Sequence, residues 1–309
     1  MKKFLIKKVL IIGGTGFIGF HVAKYCKKKN FNVHIISRKK PKINRRLKNV
    51  RYFKADLSNK KELKKVIKKN TKYDYVINLG GEVQHNNKNK VKKSHFIGVK
   101  NLSEILLNKN IKKFIQIGSS LEYGHNKSPH KENMKCKPLS SYGIAKYNAT
   151  KHLLTLNKKF AFPVIILRPY QVYGPNQDDN RFIPFVIKNC INDKNFPCSS
   201  GIQYRDFLFI LDFVKAVHKC FLSTKKANGE IFNIGYGKPK NLKKIILNIT
   251  HHIKKGKPSF GKIKLRKEEN KITYPNISKS YKILNWKPKI SFVAGLNKTM
   301  RFYKLEEKQ

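Results

Sequence analysis

The sequence predicts an α/β protein: a doubly wound parallel sheet with a smaller, mixed lobe toward the C-terminus. Three observations carry this expectation. Short apolar runs alternate with helical patterns from residue 9 to residue 167, the rhythm of strand–helix–strand units with parallel strands. A glycine loop, Gly13-Gly14-Thr15-Gly16-Phe17-Ile18-Gly19, joins the first run to the first helical pattern. Beyond Pro169 the rhythm breaks, and Pro175, Pro184, Pro197, Pro239, Pro258, Pro275 and Pro288 divide shorter elements.

Each element has its own signal. Val9-Leu10-Ile11-Ile12 is apolar without alternation, as a strand buried on both faces requires. Ile18, Val22 and Tyr25 then recur at helical spacing, and Asn30 can end that helix. Val33-His34-Ile35-Ile36 reads as a second strand. Asn59 and Glu62 have the spacing of a capping pair before Leu63, Val66 and Ile67. Val76-Ile77-Asn78-Leu79 is another strand, and Val99, Leu102, Ile105 and Leu106 mark a helix ending near Asn110. Phe114-Ile115-Gln116-Ile117 stops at Gly118-Ser119-Ser120. A helix from about Tyr142 to Leu156 and a strand at Val164-Ile165-Ile166-Leu167 complete the alternating part.

A chain of 309 residues is long enough for a sizeable core. It has no run of about 18 apolar residues, so no membrane span is expected. Met1-Lys2-Lys3-Phe4-Leu5-Ile6 imitates a signal peptide, but Lys7 and Lys8 interrupt it before the glycine loop. We read it as mature structure. Five cysteines without metal-site spacing fit a reducing cytoplasm and no metal centre. Lys and Arg number 69 against 17 acids, a formal charge of +52. Lysine is spread through the chain beside much Asn and Ile, and no basic tail stands apart. That is the pattern of an AT-rich coding sequence, so neither nucleic acid nor a membrane is expected as partner. Such a field would still steer a doubly negative diphosphate inward, and salt would weaken its binding.

The glycine loop has the Gly-x-x-Gly-x-x-Gly spacing at Gly13, Gly16 and Gly19. Glycine lets the backbone turn and approach a pyrophosphate, while the helix start offers free N–H groups. Gly13, Thr15, Gly16, Phe17, Ile18 and Gly19 are therefore candidate dinucleotide contacts. At the end of the second strand an acid would grip the ribose 2′-hydroxyl of NAD. Ser37-Arg38-Lys39 stands there instead. A hydroxyl and a guanidinium suit a 2′-phosphate, which favours NADP(H), with NAD(H) the alternative. Asp56, in Ala55-Asp56-Leu57, is placed to touch the adenine or to form a turn.

Tyr142 and Lys146 lie four residues apart, one helical turn on one face. A nearby ammonium stabilises phenolate and lowers the phenol pKa from about 10. Tyr142 could then exchange a proton with a sugar oxygen while a nicotinamide exchanges a hydride. Ser119, ending a strand, would hydrogen-bond the same oxygen.

With these motifs the chain resembles an extended short-chain dehydrogenase/reductase of the NAD(P)-dependent nucleotide-sugar epimerase/dehydratase family, which has a Rossmann-like fold. The resemblance rests further on Asn78-Leu79-Gly80-Gly81, Ser119-Ser120-Leu121-Glu122-Tyr123-Gly124, and Arg168-Pro169-Tyr170-Gln171-Val172-Tyr173-Gly174-Pro175. Tyr204-Arg205-Asp206-Phe207, Asn233-Ile234-Gly235 and Leu284-Asn285-Trp286-Lys287-Pro288 extend it through the chain. It implies a dinucleotide domain at 1–170 with a returning segment near 205–235. The substrate lobe would be 171–204 with 236–309. Ser119, Tyr142 and Lys146 would be the catalytic triad. Leu57, Leu79, Gly80 and Tyr170 would join the cofactor contacts. Ser120, Gln171, Arg181, Arg205 and Arg266 would contact the nucleotide-diphosphate sugar, the arginines because guanidinium forks match phosphate. A homodimer is implied as well.

Departures narrow the reaction. Family dehydratases place an acid pair where this chain has Ser120 and Leu121, and leucine moves no proton. His95 replaces a frequent Asn and is read as a structural hydrogen-bonder; Gln171 replaces another Asn. Ser37-Arg38 and Glu122-Tyr123-Gly124 favour an NADPH-dependent 4-keto-6-deoxyhexose reductase, similar to the CDP-abequose/paratose synthase type. The first alternative is a 4-epimerase with bound NAD. The second is a catalytically silent RNA-binding member, against which the intact triad argues.

Overall fold

The computed structural model describes residues 6–68, 70–82, 86–265 and 270–306. In chain order the first half runs β1 (Lys8–Ile12), α1 (Phe17–Lys28), β2 (Asn32–Ser37), β3 (Arg51–Lys54), α2 (Lys60–Val66) and β4 (Tyr75–Asn78). It continues with α3 (Lys88–Lys92), α4 (Gly98–Leu106), β5 (Lys113–Ile117), α5 (Ser141–Phe160) and β6 (Val164–Pro169). The second half has shorter pieces: β7 (Gln171–Tyr173), α6 (Phe182–Ile191), β8 (Asn195–Pro197), β9 (Tyr204–Arg205), β10 (Phe207–Phe209), α7 (Ile210–Leu222) and β11 (Glu230–Ile234). Then come β12 (Lys240–Asn241), α8 (Leu242–Ile253), β13 (Lys257–Ser259), β14 (Ile272–Thr273), α9 (Ser278–Leu284) and α10 (Phe292–Glu306).

Seven strands form one sheet in the order β11-β6-β5-β4-β1-β2-β3, and every pairing is parallel. Alternate residues of each central strand feed two cores. Val9, Ile11, Ile35, Ile77, Ile115 and Ile165 pack on the face covered by α1 and α7. Leu10, Ile12, Ile36, Val76, Phe114 and Ile166 pack on the other face with Leu63, Leu102 and Leu153. Two buried faces explain why these strands show unbroken apolar runs. The chain proceeds outward from β1 to β3, then crosses to β4 on the other side. That reversal opens a crevice at the carboxyl ends of β1 and β4, the place where such sheets bind ligands.

Two elements differ from the sequence reading. β3 gave no apolar run: Arg51 and Lys54 are exposed, and Tyr52 and Phe53 are half-buried. It is the sheet edge, where charges discourage pairing with a further strand. The helix read from Val99 also starts earlier. It begins at the Asn87 cap, whose side chain accepts from Lys90 N. One wide π turn at Lys93–Ile97 joins α3 to α4.

The C-terminal lobe is tied to α7 by a buried carboxylate. Asp212 Oδ2 accepts Lys289 N at 2.9 Å and Ile290 N at 2.7 Å, and its carbonyl accepts Trp286 Nε1–H at 3.0 Å. Among the described residues, no helix is long and apolar enough to cross a membrane. None of them gather as three or more His, Cys, Asp or Glu side chains that could hold a metal.

Candidate active site

The glycine loop turns directly over the crevice. Gly13 has φ +75, and a Cβ there would lie 2.9 Å from the Leu79 carbonyl and the Gly80 nitrogen. Any other residue would be strained and would collide with backbone. A Cβ on Gly19 would meet Gly13 O at 2.3 Å, so this glycine lets α1 sit against the loop. Gly16 is different. Its φ is −78, and the nearest atom to a Cβ is Gly13 O at an ordinary 3.5 Å. Nothing in the protein itself requires glycine at that point, whereas a pyrophosphate laid against the backbone does. Gly16 is also the N-cap of α1, makes no side-chain cap, and no acid occupies the first turn. Phe17, Ile18 and Gly19 therefore present helix-start N–H groups toward an anion. The residues present fit a dinucleotide.

The flanks of the crevice are built from strand ends. Asn78 Oδ1 accepts Gly80 N at 3.0 Å, which fixes the turn facing Gly13. Leu57 is buried, and its side chain lies within 3.3 Å of where a Gly80 Cβ would be. At the end of β2, Ser37 Oγ is buried with no hydrogen-bond partner among the described residues. Arg38 extends outward and pairs with Glu82 Oε2 at 3.2 Å. Asp56 uses its carboxylate on Ser58 N at 2.7 Å and Ser58 Oγ at 2.8 Å. Both bonds use Oδ1 and form the turn opening α2, which is compatible with an adenine contact at the same residue.

The triad residues converge from β5 and α5. Ser140 caps α5 by accepting Gly143 N at 3.1 Å. Tyr142 and Lys146 follow on one face, with Lys146 Nζ 5.7 Å from the Tyr142 ring centre. Lys146 is 5% exposed and donates to Ile117 O at 2.7 Å. Burial brings its pKa down to about 8, against the opposing pull of Glu122. The Ser119 hydroxyl hydrogen-bonds Tyr142 and lowers its pKa, but burial outweighs this and pushes the phenol up to about 12. That overturns the expected depression by Lys146. In the protein alone Tyr142 is a protonated acid, because burial penalises phenolate more than neighbouring dipoles favour it.

The remaining candidates are placed as follows. Arg181 is the exposed N-cap of α6, and its positive charge acts on Tyr142. Ser120 is half-buried in the single tight turn after Ser119. Gln171 is exposed on β7. Arg205 is buried on β9 and donates to Tyr204 O at 2.9 Å. The Tyr170 hydroxyl lies 2.8 Å from His130 Nδ1 in a buried network. Arg266 lies outside the described residues. His95, read as structural, does hydrogen-bond the Glu82 carbonyl at 3.0 Å. It also stands edge-on to Tyr142, ring centres 4.8 Å apart. It projects from the π turn, a distortion frequent at functional sites.

Sequence reasoning missed the partner of Glu122. This carboxylate is fully buried and forms a two-pronged bond to Arg168 beneath the triad, at 3.0 and 2.8 Å. A signal existed: Arg168 ends a strand of buried apolar residues, and a buried charge demands a partner.

A parallel sheet with a glycine loop at its switch point, and Ser119, Tyr142 and Lys146 beside it, is the arrangement of a nicotinamide-dinucleotide-dependent enzyme of the short-chain type. The profile of the NAD dependent epimerase/dehydratase family matches residues 9–235, and the chain belongs to that family of enzymes. It is 28% identical to a UDP-glucuronate 4-epimerase of Thermodesulfobacterium geofontis, over 96% of this chain and 95% of the other. It is 26% identical to the CDP-abequose synthase of Salmonella typhimurium, over 96% and 99%. The fold superposes on the UDP-glucose 4-epimerase of Thermotoga maritima, solved with UDP-glucose, with a TM-score of 0.91 at 22% identity, covering 97% and 99%.

Proposed function

We propose that the protein reduces the 4-keto group of a nucleotide-diphosphate 6-deoxy-4-ketohexose with NADPH. The dinucleotide belongs to residues 1–170 with the segment near 205–235, and the sugar nucleotide to 171–204 and 236–309. When bound, the reduced nicotinamide supplies the hydride to C4. The chain's own groups do the rest. The Ser119 hydroxyl and the Tyr142 phenol hold the carbonyl oxygen, and Tyr142 gives that oxygen its proton as the carbonyl becomes an alcohol. A phenol raised to about 12 is in the acid form this direction needs. Lys146 lies under the ring and supplies positive charge as phenolate forms. Arg181 and Arg205 are the diphosphate contacts, with Arg266 by resemblance. The working form we infer is a cytoplasmic homodimer.

The observation that carries the reading is the end of β2. The Ser37 hydroxyl, without a hydrogen-bond partner among the described residues, and the adjoining Arg38 support a 2′-phosphate there. Dehydration is disfavoured by the turn after Ser119. Leu121 is 50% exposed there, and the neighbouring acid, Glu122, is buried in its pair with Arg168. One observation favours a 4-epimerase with retained NAD. The Glu82 carboxylate on Arg38 would repel a 2′-phosphate, and the similarity to a UDP-glucuronate 4-epimerase agrees with it.

The deciding assay follows absorbance at 340 nm with a panel of nucleotide sugars. Stoichiometric NADPH loss with a 4-keto sugar supports reduction. Isomer formation without net cofactor change replaces it by epimerisation. Tyr142→Phe should remove either activity by about 100-fold or more; retained turnover rules out the assigned acid.

A further inference from the structure

The turn after Ser119 contains a device that neither the glycine loop nor the triad explains. Glu122 is 0% exposed and the Arg168 side chain 1%. Glu122 Oε2 accepts Arg168 Nε at 3.0 Å, Arg168 Nη2 at 2.8 Å and Thr150 Oγ1 at 2.9 Å. Its other oxygen, Oε1, accepts the backbone N–H of Ser119 at 2.8 Å. Thr150 lies one helical turn beyond Lys146 and two beyond Tyr142, on the same face of α5. One carboxylate therefore grips the main chain of Ser119 and the helix face that carries Tyr142 and Lys146.

The surroundings are shaped to it. A Cβ on Gly118 would fall 2.4 Å from Glu122 Oε1, so the strand end passes directly over the carboxylate. The Arg168 guanidinium lies 4.6 Å over the Tyr123 ring, and the Tyr123 hydroxyl is held by Asn233 Oδ1 at 2.8 Å on β11. β5, β6, α5 and β11 thus meet at one ion pair. For stability alone such a pair is a poor choice, because two buried charges are often replaced by apolar groups without loss.

We propose that Glu122 is a positioning residue of the active site: a buried carboxylate, counter-charged by Arg168, that sets Ser119 against the Tyr142–Lys146 face of α5. The proposal rests on Ser119 and Tyr142 holding the reacting oxygen, which reduction and epimerisation share. The charge also reaches the reacting groups, since Glu122 opposes ionisation of Tyr142 and favours protonated Lys146. The other titratable or charged groups around it are Arg168 from β6, Tyr123 in its own turn, and Cys136 from the loop before α5. Arg181 acts on Tyr142 from α6.

The test uses the full chain with its dinucleotide and whichever nucleotide sugar the wild type turns over. Three variants are compared for kcat, KM, the pH profile of kcat and thermal midpoint. Glu122→Gln keeps an acceptor for Ser119 N–H and removes the charge. Glu122→Leu with Arg168→Met fills the space and removes the grip. Thr150→Val deletes one bond to the carboxylate and conserves shape. The paired apolar variant should stay folded and lose about 100-fold in kcat, the scale of a small misplacement of reacting groups, with KM nearly unchanged. Glu122→Gln should move the alkaline limb of kcat to lower pH, and Thr150→Val should lower kcat about threefold to tenfold. Folded variants with wild-type kcat and pH profile overturn the proposal. Should both Glu122 variants fail to fold, Thr150→Val decides alone, and unchanged kcat overturns it. The ratio of variant to wild type reads this proposal, whereas the substrate chosen by the wild type reads the reaction.

Discussion

Replacing Gly16 with alanine separates cofactor binding from folding at a single atom. The backbone at Gly16 has φ −78 and ψ 173, which alanine adopts freely. The added Cβ would have Gly13 O as its nearest neighbour at 3.5 Å, an ordinary contact. Folding should lose only the small preference for glycine over alanine at an N-cap, of order 0.5–1 kcal/mol. The dinucleotide should lose far more, because the methyl occupies the surface on which a pyrophosphate rests. Overpacking of about 1–3 kcal/mol corresponds to roughly 5- to 150-fold in Kd. Gly13→Ala and Gly19→Ala are the contrasts. Their new atoms would lie 2.9 and 2.3 Å from backbone, so both should lower the unfolding midpoint. Differential scanning fluorimetry and titration of NADPH fluorescence read the two effects. If Gly16→Ala binds NADPH and NADH as tightly as wild type, the pyrophosphate does not lie on this loop.

Further outcomes follow from the same geometry. With the Lys146 pKa lowered to about 8, its charge is lost as pH rises through that value, so kcat should fall on the alkaline side near pH 8. The stability effect has the opposite sign. The unfolded lysine holds its proton up to about 10.4, so between these values the unfolded state binds more protons and stability rises with pH. Parallel kinetic and denaturant titrations of wild type and Lys146→Met test both. Asp212→Ala should cost about 2–4 kcal/mol in urea unfolding, because it removes the buried carboxylate that holds the Lys289 and Ile290 N–H groups and anchors the Trp286 segment to α7. A loss under about 0.5 kcal/mol would mean the C-terminal segment is held by other contacts. Glu82→Gln should shift preference toward NADP(H) over NAD(H) by about twofold to fivefold, the range of a partly exposed ion pair. An unchanged ratio of kcat/KM values removes Arg38 from the 2′-phosphate site.

What could be read in advance follows from where the physics is local. β1, β2, β4, β5 and β6 were legible because burial on both faces leaves unbroken apolar runs. The glycine loop was legible because turn geometry, helix start and backbone approach all act within seven residues. β3 was not, since an edge strand with charged ends looks like a loop. The Glu122–Arg168 pair spans 46 positions of sequence, and no spacing rule reaches that far. The direction of the Tyr142 shift was misread for a related reason. The lysine one turn away is visible in the sequence, whereas the burial that outweighs it is assembled from β5, α5 and the π turn. His95 was recognised as a hydrogen-bonder, yet its edge contact with Tyr142 depends on that π turn, which no local pattern announced.

The seventh strand has a consequence for how the chain reaches this structure. β11 pairs with β6 along its length, from Glu230 opposite Ile165 to Ile234 opposite Pro169, yet it is made roughly 60 residues later. At about 5–20 residues per second on a ribosome, β6 waits several seconds with its outer edge unpaired. During that interval the nascent sheet carries an apolar edge, Val164 to Leu167, open to any other strand. A formal charge of +52 opposes the approach of neighbouring chains of the same kind while that edge is open.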